Sequence, residues 1–187
     1  SLKNLGISEP NFQTNITNEL IEDSNYLTFN DKSYKCSAKG MDSVEFFIST
    51  NLGEDPKPLV KVASGGEISR IMLSLKSTLA KSDKLPLLIF DEIDVGVSGR
   101  IAQKVGIALK ELAAYHQIIA ITHLPQIAGL ADHHYKVEKT SHDKRVLSSI
   151  AKLTDSDRIE EIAKLMSGEE VTKEGISSAK QLMNSTN

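Results

Sequence analysis

A four-residue apolar run, Leu87-Leu88-Ile89-Phe90, stops abruptly at the adjacent carboxylates Asp91 and Glu92. Wholly apolar strands belong to sheets covered on both faces, the habit of parallel strands, so this run predicts a buried parallel strand. Downstream, Ile101, Val105, Ala108 and Leu112 fall at helical spacing, and residues 117–122 form a second apolar run that ends at His123. Strand, helix, strand is the right-handed crossover unit of α/β proteins. The chain is therefore expected to have an α/β core of parallel strands with flanking helices. In such sheets ligands gather beyond the carboxyl ends of the strands, where Asp91, Glu92 and His123 all fall.

Upstream the pattern is different. Phe12, Thr14 and Ile16 alternate with polar residues, as do Tyr34, Cys36 and Ala38, which predicts antiparallel strands. Asn30-Asp31 supplies a turn between residues 26–29 and 33–38, and residues 44–50 make a further β-rich run. Residues 53–58 carry two prolines and read as a loop. From Ser64, an expected N-cap, Ile68, Ile71, Met72, Leu75 and Leu79 mark a helix to about residue 81. A short helix over 125–131, a hairpin of 135–138 with 145–150, and helices over 155–167 and 172–184 complete the expectation, with Gly168 as a stop between the last two. One domain spanning 1–187 is expected, with a mainly antiparallel β entry region at 1–58, an α/β core at 59–150 and terminal helices at 151–187.

Bulk properties narrow the class. No apolar stretch approaches the roughly 20 residues that span a bilayer, and the first ten residues lack the basic start and apolar run of a secretory signal. A cytoplasmic protein without a membrane partner is expected, and the start at Ser-Leu-Lys without Met suggests a piece of a longer polypeptide. The lone Cys36 has no internal disulfide partner and suits a reducing compartment. A formal net charge of -3 offers no global basic field to draw in a polyanion, so no DNA contact is visible in composition. His133 and His134, adjacent in a strand, would point to opposite faces and do not make a zinc site.

Three local patterns can carry chemistry, and each has a plainer alternative. At Ser64-Gly65-Gly66-Glu67 a glycine-rich loop opens a helix, exposing amides that favour an anion such as phosphate, although a simple capped helix start looks the same. Asp91 can hold Mg²⁺ and Glu92 can orient and deprotonate a water for phosphoryl transfer, but an apolar strand ending in Asp-Glu also arises by chance. His123 at the next strand end can sense a terminal phosphate, while a lone strand-end histidine is commonly just a surface residue. Their succession, with a complete crossover between the last two, makes independent coincidence hard to sustain.

Taken together these residues resemble the ATPase heads of the ABC/SMC type. The resemblance makes Ser64, Gly65, Gly66 and Glu67 a signature loop, residues 87–92 a Walker B strand, Asp94 the D-loop residue at a dimer interface, and His123 a switch histidine. Three phrases are similar to the RecN family in particular: Val-Ala-Ser-Gly-Gly-Glu-Ile-Ser-Arg-Ile-Met-Leu at 62–73, Phe-Asp-Glu-Ile-Asp-Val-Gly-Val-Ser-Gly-Arg at 90–100, and Ile-Thr-His-Leu-Pro-Gln-Ile-Ala at 121–128. The resemblance implies the C-terminal lobe of a P-loop ATPase head that uses ATP and Mg²⁺. In it Asp91 binds the metal, Glu92 and His123 are catalytic, and the signature residues contact nucleotide of an opposing head in trans.

The phosphate-cradling Walker A pattern Gly-x-x-x-x-Gly-Lys-Ser/Thr is missing from this sequence. By resemblance it lies in an N-terminal lobe of the same polypeptide, so the isolated chain is expected to be inactive. The implied partners are that lobe, a second head and DNA, the implied role is double-strand break repair and recombination, and the implied location is the bacterial nucleoid. Two other readings stay open: a non-catalytic, nucleotide-dependent interaction module, or the ATPase subunit of another SMC or ABC system, a membrane transporter included. Arg70, on the signature helix, can contact nucleotide, DNA or an opposing lobe, with a salt bridge on its helix as the plainer expectation.

Overall fold

The computed structural model describes residues 2–22, 27–61, 64–82, 84–142, 145–168 and 170–184. The chain divides into two compact units, Ile7–Ser64 and a larger one of Ser1–Gly6 with Gly65–Asn187.

The smaller unit is antiparallel. It contains β1 (Asn11–Asn18), β2 (Leu27–Phe29), β3 (Lys32–Tyr34), β4 (Asp42–Ser49) and β5 (Lys57–Pro58). β1 pairs with β4 along its whole length, Phe12 opposite Ile48 and Ile16 opposite Val44, and β5 adds to the other edge of β4. The stretch read as a loop at 53–58 thus ends in a two-residue strand, its proline on a sheet edge where a missing amide hydrogen costs least. β2 and β3 form a hairpin whose turn residues Asn30 and Asp31 both have positive φ, 49° and 59°, a conformation that Asn and Asp tolerate and two-residue hairpins require. Residue 26, placed in the first arm by sequence, lies outside the described residues.

The expected second arm, 33–38, stops early. β3 ends at Tyr34, and Ser37 bridges Gly40 to close a tight turn whose Gly40 has φ 112°. Period-two alternation cannot distinguish a strand from an extended lead into such a turn. Cys36 is accordingly an exposed loop residue rather than a strand residue.

The larger unit carries the crossover. α1 (Gly65–Leu79), β6 (Leu87–Phe90), α2 (Gly99–Leu112) and β7 (Gln117–Ala120) follow in order, and β6 and β7 are parallel, with Phe90 opposite Ala120. Leu73, Val105, Leu109 and Leu112 of the two helices bury themselves against Phe90, with Leu88, Ile118 and Ala120 packed alongside. A 3-10 turn, Leu2–Leu5, adds Leu5 to this cluster. Ser98 sits at the N-cap of α2 in extended conformation, without a side-chain cap bond.

Among the described residues only one face of the parallel pair is covered, which corrects the expectation of burial on both. Leu87, Ile89 and Ile119 are 43, 62 and 47% exposed, and Ile121 just beyond β7 is 55% exposed. Apolar composition records that a face is suited to burial, not that the cover lies in the same stretch of chain.

Beyond β7 come α3 (Pro125–Ala128), the hairpin β8 (Tyr135–His142) and β9 (Arg145–Lys152), then α4 (Asp155–Ser167) and α5 (Lys173–Asn184). α4 opens on a reciprocal capping box: Thr154 Oγ1 accepts from the Asp157 amide at 3.3 Å and Asp157 Oδ2 accepts from the Thr154 amide at 3.4 Å. It ends at Gly168, whose φ of 92° stops the helix as expected. Ile162, Ala163 and Ala179 form a small core between α4 and α5. Arg158 reaches from α4 to the carbonyl of Gly129 at 3.0 Å, occupying an acceptor at the end of α3. Among the described residues no helix is long and apolar enough to cross a membrane.

Candidate functional site

β6 delivers Asp91 and Glu92 to its carboxyl end, both exposed. Asp91 Oδ1 accepts the Glu92 amide at 2.9 Å, and Glu92 has φ 56°, a left-handed value that costs a non-glycine residue on the order of 1 kcal/mol. That reversal turns the chain out of the strand and into the loop 91–97. With one oxygen of Asp91 engaged by an amide, the other can serve a hard cation, and an exposed carboxylate at a strand end suits Mg²⁺, which takes few protein ligands and keeps water. Among the described residues no group of three or more His, Cys, Asp or Glu is placed to hold a metal by itself.

The start of α1 lies against this loop. Gly65 has the Glu92 carboxylate so near that a Cβ there would lie 2.0 Å from Oε2. Gly66 is buried, and a Cβ on it would meet the Val95 carbonyl at 2.6 Å. Gly66 is therefore required by close approach of backbone, whereas at Gly65 the neighbour is the mobile end of the exposed Glu92 side chain, which can give way. Glu67 sits half-buried in the first turn. Ser64 directly precedes the helix, half-buried, as the last residue of the smaller unit. Ser69, one turn in, donates from Oγ to the Asp91 carbonyl at 2.7 Å.

β7 delivers the other half of the site. His123 is 72% exposed at its side chain, and its Nδ1 lies 3.0 Å from Oδ2 of Asp94, which is only 4% exposed. The same Asp94 oxygen accepts from Thr122 Oγ1 at 2.6 Å and from the His123 amide at 2.8 Å. Three donors converge on one buried carboxylate oxygen, which compensates its desolvation. Asp94 therefore joins the loop after β6 to the end of β7 and sets the imidazole with Nδ1–H toward the carboxylate and Nε2 outward. The structure brings Gly65, Asp91, Glu92, Asp94 and His123 together at one end of the parallel pair.

No family model matches the chain. Among curated proteins it is similar to the "DNA repair protein RecN" of Rickettsia bellii, 44% identical over 149 residues that cover 80% of this chain and 27% of the relative. It is likewise similar to that of Halalkalibacterium halodurans, 45% identical over 77% of this chain and 26% of the relative. The protein of the same name from Haemophilus influenzae is 39% identical over 84% and 28%, respectively.

The sequence is of the RecN type. It spans 26 to 28% of the length of these relatives. Among solved structures, the Smc head domain with a coiled coil and joint from Pyrococcus yayanosii superposes with TM-score 0.53 at 18% identity, over 88% of this chain and 27% of that one. The Smc head bound to the C-winged helix domain of ScpA gives TM-score 0.50 at 19% identity, over 83% and 40%. The RecN-type chain therefore has the mixed α/β fold of an Smc head, with parallel and antiparallel sheets.

Sequence reasoning passed over two residues of this cluster and misplaced a third. Ser69 and Thr122 are hydroxyls whose partners lie 22 and 28 residues away, and nothing local marks them. Arg70 left a signal. Gly66, Arg70 and Leu73 follow one another at helical spacing on the buried stripe of α1, where a charged residue is out of place. Arg70 turns inward, donating from Nη1 to the Val95 carbonyl at 2.7 Å and, at longer range, to the Ile93 carbonyl at 3.5 Å. Burial pulls the guanidinium below its ordinary pKa, and the nearby Glu67 carboxylate opposes that fall.

Proposed function

We propose that this RecN-type chain is the lobe of a DNA-repair ATPase that applies Asp91, Glu92 and His123 to ATP held by the N-terminal Walker A lobe of the same polypeptide. In the same assembly Ser64, Gly65, Gly66 and Glu67 face the ATP of a second head, with Asp94 near the junction. The observation that carries this reading is the union of Asp91-Glu92 and His123, from neighbouring parallel strands, through the buried carboxylate of Asp94. The bare apolar face of β6 and β7, with Leu87, Ile89 and Ile119, supports it by offering a surface for a further lobe.

Mg²⁺ bound by Asp91 would neutralise charge building on the phosphate oxygens. Glu92, at the end of a rigid strand and turned outward by its own backbone, orients a water and takes its proton. His123 is held by Asp94 through Nδ1, so Nε2 meets a phosphate oxygen when the ring carries a second proton, or a water when it does not. Loss of the terminal phosphate removes the charge that joins two heads and shifts them toward separation. The setting is double-strand break repair and recombination, in the bacterial cytoplasm at the nucleoid, with DNA as a partner of the assembled protein.

Glu92→Gln in the full-length polypeptide tests the assignment. Steady-state ATP hydrolysis should fall by about a hundredfold or more, the size expected for a lost general base, while ATP-dependent association of heads persists. Unchanged turnover would reject the role of Glu92.

A further inference from the structure

We propose that Arg70 is a positioning residue that grips the loop on both sides of Asp94, and through Asp94 holds His123 in its working tautomer. The proposal rests on the ATPase reading above and extends it to a residue that touches no phosphate in that scheme.

The geometry runs through peptide groups. Arg70 is 3% exposed, and its guanidinium faces the carbonyls of Ile93 and Val95, the residues on either side of Asp94, at 3.5 and 2.7 Å. Both contacts come from Nη1, whose two hydrogens can address one acceptor each. Its Nε is buried with no partner in the described structure, a penalty that stability alone would not retain when a smaller apolar residue fits an apolar stripe.

From the gripped loop the chain of contacts continues without a break. Asp94 accepts from Thr122 Oγ1, the His123 amide and His123 Nδ1. On the other side, Gly66 is packed against the Val95 carbonyl with Arg70 Nη1 adjacent, and Ser69 holds the Asp91 carbonyl. The first two turns of α1, the loop 91–97 and the end of β7 therefore form one hydrogen-bonded body. Arg70 is its buried centre. A shift of α1 on meeting a ligand would reach His123 through this route.

The test uses Arg70→Met, Arg70→Lys, Asp94→Asn and the Arg70→Met/Asp94→Asn double variant. In the full-length polypeptide, Arg70→Met should lower kcat for ATP about tenfold or more with KM changed less than about threefold, and Arg70→Lys should recover part of the loss. Because Arg70 acts through Asp94, the double variant should be little worse than Asp94→Asn alone. In the 187-residue chain, the ring nitrogen shifts of His123 should report Nδ1–H in the natural sequence and a loss of that preference in Arg70→Met. Retained Nδ1–H together with full turnover in Arg70→Met, or losses that simply multiply in the double variant, would overturn the proposal.

Two controls separate outcomes. If the natural polypeptide fails to hydrolyse ATP, the functional reading falls while the His123 tautomer still decides the positioning role. If Arg70→Met does not fold, as judged by its amide spectrum, Arg70→Gln, whose shorter side chain does not reach both carbonyls, carries the test: a His123 signature and turnover indistinguishable from the natural protein would refute the grip on two carbonyls.

Discussion

The two units of the chain treat their apolar residues differently. In the unit of residues 65–187, two helices lie on a parallel pair and Leu73 and Val105 are fully buried. In the unit of Ile7–Ser64, the paired strands β1 and β4 leave Ile16, Val44 and Phe46 at 60, 55 and 44% exposure. Helices can fold back on the strands that precede them and cover one face at short range. A ribbon of hairpins has no such layer of its own and depends on whatever is laid upon it. The same limit returns on the outer face of β6 and β7, so the packed unit is itself complete on one side only.

The largest effects should separate these settings. Leu73→Ala removes a fully buried side chain from the helix–sheet core and should cost about 3 kcal/mol of unfolding free energy. Val44→Ala, on the exposed ribbon face, should cost less than about 1 kcal/mol. Denaturant melts of the two variants check this. An equal loss at Val44 would mean that the ribbon face is covered in solution and would erase the contrast.

The same contrast explains what sequence reveals. The crossover from β6 through α2 to β7, the Asn30-Asp31 turn and the bounds of α4 were legible because helical periodicity, apolar runs and turn chemistry are local signals. The gathering of Asp91, Glu92 and His123 at one end of the sheet followed from the rule that parallel strands present their carboxyl ends together, whereas the buried bond of Asp94 to His123 did not. What was not legible is non-local or lies in the backbone. Nothing in Leu87 or Ile89 says which chain segment covers them. Arg70 was visible as a charge on a buried stripe, but its acceptors are the carbonyls of Ile93 and Val95, and every residue has a carbonyl.

A middle-sized effect lies at the start of α4. Thr154→Ala removes both halves of the capping box, since Asp157 loses the hydroxyl that orders it. The expected cost is about 1 kcal/mol. A much smaller loss would show that α4 is held by Arg158 and the Ile162 contacts rather than by its own cap, placing more of the packed unit's stability in tertiary packing.

The smallest effect is a dependence on pH. His134 is half-buried before β8, with Nδ1 buried and without a hydrogen-bond partner in the described structure. Burial lowers its pKa from the ordinary 6.5, the charge of Arg158 lowers it further, and Glu161 opposes them. The folded chain then takes up a proton less readily than the unfolded chain. Above the ordinary histidine value both states are neutral and the residue contributes no pH dependence. As pH falls through that value, the unfolded state gains protons first and stability declines. The Tm of the natural chain minus that of His134→Gln should therefore become more negative between about pH 8 and about pH 5. A difference that stays flat would show that water reaches Nδ1, and would make this edge of the larger unit as open as the ribbon it is contrasted with.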